Sequence, residues 1–284
     1  VSGTTEGEAL GWAERAGERT SEPTSPKAVI EDLLAMAVDL ARDAGALLLD
    51  RFEGGREQAL ESKSTPTDLV SEADLASERL IRDRLARIRP ADGILGEEGG
   101  GTEGTSGLTW VVDPLDGTVN FLFSIPQWCV SVAVVDTHGA LAGAIYDPCR
   151  GELFVAARDG EPLLNGAPIA ASARTELSSA MVATGFAYDA SVRAAQAEVF
   201  AHLVPRVRDI RRFGAAALDL AWTACGRYDA YYERTVKPWD IAAGTLICER
   251  AGLTVRELPE REGLPLGVLA AAPALSGELF ELVG

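Results

Sequence analysis

From Val29 to Phe52 the apolar residues fall at Ile30, Leu33, Leu34, Ala37, Ala41, Ala44, Leu48 and Phe52. That three-and-four spacing predicts a long amphipathic helix, which Gly54-Gly55 stops. A polar turn, Lys63-Ser64-Thr65-Pro66-Thr67-Asp68, leads into a second helical pattern through Leu69, Leu75, Leu80, Ile81, Leu85 and Ile88, closed by Pro90. The period then changes. Ile94-Leu95-Gly96 is a short apolar run before Glu97-Glu98 and a glycine-rich loop, and Trp110-Val111-Val112 runs into Asp113-Pro114-Leu115-Asp116-Gly117-Thr118. The second run reads as a buried strand leading to a sharp turn with two carboxylates at its tip. Val130 to Asp136, Leu141 to Tyr146 and Glu152 to Ala157 follow as strands separated by turn residues, so this part of the sheet is expected to be antiparallel.

Past Gly160 the pattern mixes both periods. Leu164-Asn165-Gly166 is a turn signal, Met181 to Thr184 a strand, and Val192 to Leu203 a helix. Residues 214 to 225 form a small-residue helix suited to close packing, and Tyr228 to Glu233 a strand. Pro238-Trp239-Asp240 opens a helix to about Ala251, Leu253 to Arg256 and Gly267 to Ala271 are strands, and Leu275 to Leu282 is a last helix. Without strict strand-helix-strand repetition, stacked α and β layers are favoured over a doubly wound parallel sheet. Residues 1–26, rich in Glu, Gly, Ser and Thr with Pro23 and Pro26, predict a disordered or loosely attached tail. The globular region is then 27–284, with an N-terminal half to about 160 and a C-terminal half from about 161.

Composition narrows the chemistry. The 284 residues carry 26 Lys and Arg against 43 Asp and Glu, a formal charge of −17. Such a surface repels nucleic acid and anionic membrane and suits a protein that collects divalent cations. No apolar stretch reaches the roughly 18–20 residues of a membrane span, and the first residues lack a signal-peptide pattern. Cys129, Cys149, Cys225 and Cys248 are isolated, which reads as four reduced, mostly buried thiols in a cytoplasmic protein. The two histidines, His138 in a turn and His202 in a helix, read as surface or packing residues. Histidine-based triads and histidine-ligated metals are therefore disfavoured, and oxygen ligands and carboxylates must carry any hydrolytic chemistry.

Five acids sit at element ends: Asp74, Glu97, Asp113, Asp116 and Asp240. Mg²⁺ takes about six oxygens, from a few carboxylates with water and phosphate. Asp113 and Asp116 flank Pro114-Leu115, so both carboxylates and the Leu115 carbonyl could face one cavity. Gathered acids repel one another unless cations or raised pKa values compensate. Each has a plainer reading: Asp240 as a helix-start cap, Asp74 as an exposed helical residue, Glu97-Glu98 as a solvated loop. If a helix starts at Gly117-Thr118, its free N–H groups offer an anion cradle. Together these features suggest attack by a metal-activated water on a phosphate ester.

Four segments, Lys63 through Asp74, Gly96-Glu97-Glu98, the Trp110–Phe121 stretch W-V-V-D-P-L-D-G-T-V-N-F, and W-D-I-A-A-G from Trp239, resemble the inositol monophosphatase family of Mg²⁺-dependent, lithium-sensitive phosphatases. The resemblance runs from about residue 30 to the C-terminus. It implies an α+β fold, the layered α-β-α-β-α sandwich of the inositol monophosphatase and fructose-1,6-bisphosphatase type. It also implies two to three Mg²⁺ ions: Glu97, Asp113 and the Leu115 carbonyl on the first, Asp113, Asp116 and Asp240 on the second, and a weaker third near Glu97. Thr118, hydrogen-bonded to Asp74, would orient the attacking water, Glu97 would help to deprotonate it, and Lys63 would act electrostatically. Gly117 and Thr118 would cradle phosphate.

Glu233, with Asp116, Gly214 and the Ala216 N–H, would contact the substrate, although Glu233 also reads as a strand-end surface acid. Asn120 favours myo-inositol 1-phosphate or a similar polyol phosphate. Histidinol phosphate, a nucleotide 3′-phosphate and fructose 1,6-bisphosphate are alternatives with the same chemistry. A regulatory binding protein that retains the fold, as some bacterial relatives use with transcription machinery, is the alternative of another class. The resemblance further implies a cytoplasmic homodimer acting on a small-molecule phosphate monoester, without nucleic-acid or membrane partners.

Overall fold

A computed structural model describes residues 26–54, 60–62 and 69–284 of the chain. Lys63 and the expected tail, apart from Pro26, lie outside them. The first helix, α1 (Pro26–Glu53), is followed by a two-stranded ribbon, β1 (Leu60–Ser62) and β2 (Leu69–Ser71), and by α2 (Glu72–Ile88). Leu69 belongs to the ribbon although its apolar character continues the helical spacing. The helix starts later because Ser71 caps it: its hydroxyl accepts from the N–H groups of Ala73 and Asp74, and its own N–H donates to Asp74.

The large sheet contains β3 (Gly93–Gly96), β4 (Gly100–Thr102), β5 (Thr109–Asp116), β6 (Cys129–Asp136), β7 (Gly139–Asp147), β8 (Glu152–Ala157), β9 (Leu163–Leu164) and β10 (Ala167–Pro168), with the short helix α3 (Thr118–Leu122) after β5. Its order is β10-β9-β8-β7-β6-β5-β3-β4, with β5 through β10 antiparallel and β3 parallel to β5. The small sheet comes from β11 (Met181–Thr184), β12 (Asp209–Arg211), β13 (Ala230–Arg234), β14 (Thr254–Leu258) and β15 (Gly267–Ala271), in the order β12-β11-β13-β15-β14. Between and after these strands run α4 (Ala190–Leu203), α5 (Ala216–Ala224), α6 (Pro238–Arg250) and α7 (Pro273–Val283).

Alternation along the strands assigns the layers. Trp110, Val112, Val130, Val132, Val134, Ala142 and Ala144 face α1 and α2 in one apolar cluster. Their neighbours Val111, Ala133, Ile145 and Phe154 face the opposite way and pack with Leu218, Leu220, Ala221, Ala243 and Ile247 of α5 and α6. Ala183, Tyr231, Val268 and Ala270 of the small sheet close that second cluster, and Val182, Tyr232, Leu269 and Ala271 pack against α7 and Leu203 on the far side. The result is five layers, α-β-α-β-α. Small residues bring them close: a Cβ on Gly143 of β7 would lie 2.9 Å from the Ala243 Cα of α6. That approach sets the N-terminus of α6, with Asp240, over the end of β5.

Candidate active site

The central strand β5 does not stop at Asp113, as its apolar run suggests, but continues to Asp116 with an irregular register between the two acids. Both are buried, at 2% and 8% exposure. Asp113 Oδ1 accepts from the Leu115 N–H at 3.1 Å, and Ser77 of α2 donates to the Pro114 carbonyl at 2.8 Å, so the tip is held on both sides. Gly117 then turns with φ 97°, where any Cβ would meet the Gln127 carbonyl at 2.9 Å. Thr118 follows as the first residue of α3. Its hydroxyl donates to Asp74 Oδ1 at 2.8 Å and lies 3.1 Å from the Leu115 carbonyl. Asp74 is fully buried, not an exposed helical residue, because Ser71 and Thr118 supply its donors.

Three other elements bring acids to this tip. Glu97 follows β3, and its N–H lies 3.3 Å from the Val112 carbonyl of β5. The loop beyond it is fixed by Glu78, whose carboxylate takes the N–H groups of Glu98 and Gly99, each at 2.7 Å, and pairs with Arg82 at 2.6 Å. Asp240 is the third residue of α6 and accepts from the Lys237 N–H at 2.6 Å, so its helix-cap role and its place at the cleft coexist. Asp116 reaches across to α5, accepting from Ala216 N at 3.0 Å and Ala217 N at 2.7 Å. Ala215 has no side chain that could cap α5, and the carboxylate from the other sheet does so instead. The Ala216 N–H, expected to contact the substrate, donates to Asp116, and Ala216 lines the cleft.

These residues line a cleft of about 390 Å³ that contains Glu97, Asp113, Leu115, Asp116, Gly117, Thr118 and Asp240 at one end and Glu233, Gly214 and Arg212 toward the other. Burial, then the charges of Glu97, Asp116 and Asp240, hold the Asp113 carboxyl well above the usual carboxylate range. Burial pushes Asp116 up to about 6 despite the amides of α5, and raises Asp240 well above its ordinary value. Among the described residues no Arg or Lys forms an ion pair with Asp113, Asp116 or Asp240. Nor do three His, Cys, Asp or Glu side chains among them already close on a single point as a preformed cage would. The donor set is nevertheless one that hard divalent cations take: carboxylates lining one cleft, destabilised as anions, with no described Arg or Lys paired to Asp113, Asp116 or Asp240.

Glu233, the fourth residue of β13, forms part of the cleft wall. Tyr231 donates its hydroxyl to Glu233 Oε2 at 2.8 Å, and a Cβ on Gly185 would sit 2.0 Å from the carboxylate, so only glycine fits there. Burial raises Glu233 to about 7, partly countered by Tyr231 and Arg212. Residues 185–189 border this wall and are pinned by α4: Gln196 accepts from the Ala187 N–H, and Arg193 donates to the Ala187 and Tyr188 carbonyls. Asn120 ties two segments together. It is buried and donates to the carbonyls of Gln127 at 2.8 Å and Phe213 at 2.7 Å, tying α3 to the segment before α5. Ser71, Glu78, Tyr231 and Arg212 escape a sequence-based reading. Only Ser71 leaves a signal, its Ser-x-x-Asp spacing to Asp74 at a helix start.

A model of the inositol monophosphatase family matches residues 30–283. A protein named inositol-1-monophosphatase from Mycobacterium bovis is 43% identical over 92% of this chain and 93% of its own length. The Nus factor SuhB of Escherichia coli K12 is 39% identical over 78% of this chain and 83% of its own. The crystal structure of the extragenic suppressor protein suhB from Bartonella henselae superposes with a TM-score of 0.83 at 32% identity, covering 89% of this chain and 98% of that one.

Proposed function

The chain belongs to the inositol monophosphatase family, and we propose that it is a Mg²⁺-dependent phosphomonoesterase acting on myo-inositol 1-phosphate or a similar polyol phosphate. The observation that carries this reading is the gathering of Asp113, Asp116 and Asp240 in the cleft, with which no described Arg or Lys forms an ion pair, beside the Thr118–Asp74 hydrogen bond. Glu97, Asp113 and the Leu115 carbonyl would hold one ion, Asp113, Asp116 and Asp240 a second, and Glu97 would stand beside a weaker third. Bound there, divalent ions supply Lewis-acid charge and lower the pKa of water. The chain's own groups then divide the work. Asp74 accepts the hydrogen bond of the Thr118 hydroxyl, leaving that oxygen's lone pairs to accept from the attacking water and aim it. Glu97 accepts the water proton, and the Gly117 and Thr118 N–H groups receive the phosphate oxygens. Asp116, fixed by two amides of α5, cannot swing away as the charge shifts. Glu233 accepts from hydroxyls of the leaving alcohol. A homodimer in the cytoplasm accompanies this reading by family likeness.

Phosphate release from myo-inositol 1-phosphate, histidinol phosphate, a nucleotide 3′-phosphate and fructose 1,6-bisphosphate, with and without Mg²⁺, tests the proposal. The polyol ester should give the highest kcat/KM and should require the ion. Equal rates in a chelator would overturn the chemistry, and a better rate on another ester would overturn the substrate. The name of the E. coli relative, Nus factor SuhB, favours a second, binding role beside hydrolysis; partners captured equally by wild type and by the Asp113→Asn protein would separate the two.

A further inference from the structure

Arginines elsewhere in the chain are mostly engaged: Arg82 with Glu78, Arg158 with Asp136, Arg227 with Glu152. Arg211 pairs with Asp209 at 2.7 Å. Its neighbour Arg212 lines the cleft, is exposed, and forms no hydrogen bond or ion pair with a described residue. Its guanidinium lies across the bare α-carbon of Gly214: a Cβ there would come within 2.5 Å of Arg212 Nη1. Gly214 also has φ 78°, a backbone conformation that disfavours a side chain there. The segment is anchored underneath, since Asn120 holds the Phe213 carbonyl.

The charge of Arg212 reaches Glu233, which lines the same cleft. It lowers the pKa of Glu233 and of the buried Asp219, and is absent from the leading influences on Asp113, Asp116 and Asp240. An ionised carboxylate only accepts hydrogen bonds, and a guanidinium only donates them, through five N–H groups in a fixed fork. Each hydroxyl of a vicinal diol does both. An acceptor and a donor lining one cleft therefore match two adjacent hydroxyls, one donating to the carboxylate and the other accepting from the guanidinium.

We propose that Arg212 is a specificity-determining residue, the donor partner of Glu233 in reading a vicinal diol on the leaving alcohol of the phosphate ester. This rests on the phosphomonoesterase reading above and narrows its substrate to polyhydroxylated esters. The competing use of a free arginine, pairing with a second anionic group, is disfavoured by the site. Such a group would enter a cleft lined by Glu233 and Asp116 and would be repelled by both.

The test compares two esters in the Mg²⁺-loaded full chain: myo-inositol 1-phosphate, which has vicinal hydroxyls, and p-nitrophenyl phosphate, which has none. In Arg212→Met the ratio of kcat/KM for the inositol ester to that for the nitrophenyl ester should fall about tenfold, the size of a charge-assisted hydrogen bond. The loss should appear in KM for the inositol ester and not in kcat. Arg212→Lys, which keeps the charge but not the fork, should recover only part of the ratio. Unaltered melting of both variants would set misfolding aside. A ratio unchanged within about twofold would overturn the role of Arg212 while leaving the phosphatase reading intact. So would a larger loss on fructose 1,6-bisphosphate than on the inositol ester, which would mark an anion subsite. If the wild type cleaves only the nitrophenyl ester, the diol assignment fails alone, and if it cleaves neither, both readings fall.

Discussion

At the ends of β6 and β8 in the large sheet, Asp136 takes Arg158 at 2.7 Å and Glu152 takes Arg227 at 2.5 Å. Arg158 holds the Asp136 carboxyl down at about 2, and Arg227 lowers Glu152. In the cleft the same residue types behave oppositely. Burial raises Asp113, Asp116 and Asp240, the charge of Asp116 raises the other two further, and no described arginine or lysine pairs with them. The chain has enough arginine to neutralise acids where neutralisation serves stability. Leaving the cleft acids uncompensated costs stability and is consistent with a site filled by cations from solution.

The sharpest way to break this contrast is to neutralise one acid in each region. Asp113→Asn and Asp240→Asn should each lower turnover about a thousandfold at saturating Mg²⁺, measured by phosphate release. Both should melt no lower than wild type without metal, because a mutually repelling charge has been removed. Asp136→Asn should leave turnover unchanged and cost at most about 1 kcal/mol in denaturant titration, the value of a partly exposed ion pair. Near wild-type turnover in either cleft variant would mean that the acids are not ligands.

Asp74 stands between the two regions, buried like the cleft acids but supplied with neutral donors. Thr118→Val keeps the shape and removes the hydroxyl. It should lower kcat about a hundredfold with little change in KM, as expected for a group that aims the nucleophile. A rise in KM at constant kcat would instead make Thr118 a binding residue.

Most of the layer order is legible in the chain, because each strand and helix buries one face and its period shows which. The helices over Val29–Phe52 and from Pro238, and the three hairpin-linked strands, carry that period in full. The short edge strands β4 and β12 carry too few residues to show one. Within the site, the acids are visible because they interrupt apolar runs at element ends. What holds them is not visible. Asp116 capping α5 across a hundred residues, and Glu78 gripping the loop after Glu97, depend on contacts distant in sequence. Asn120 shows the converse: a polar residue inside a recognisable motif whose three nearest acceptors are backbone carbonyls, so its role is architectural.

The last difference between the two regions is the sign of their pH dependence. Asp136, held at about 2 in the fold, contributes stability above its unfolded pKa of about 4, and this is lost as pH falls toward 2. Asp116, raised to about 6, does the reverse. Between about 4 and 6 the folded protein binds more protons there than the unfolded chain does, so metal-free stability falls as pH rises. Asp113 and Asp240, raised well above their ordinary values, extend that fall to higher pH. A divalent cation binds only the deprotonated acids, so it should offset the fall most where the fall is largest. The melting temperature of chelator-treated protein should therefore drop by about 5 °C between pH 5 and pH 8, and Mg²⁺ should raise it more at pH 8 than at pH 5. In Asp113→Asn both effects should shrink. A Mg²⁺ shift of equal size at the two pH values, or one that survives in that variant, would place the ion away from the tip of β5.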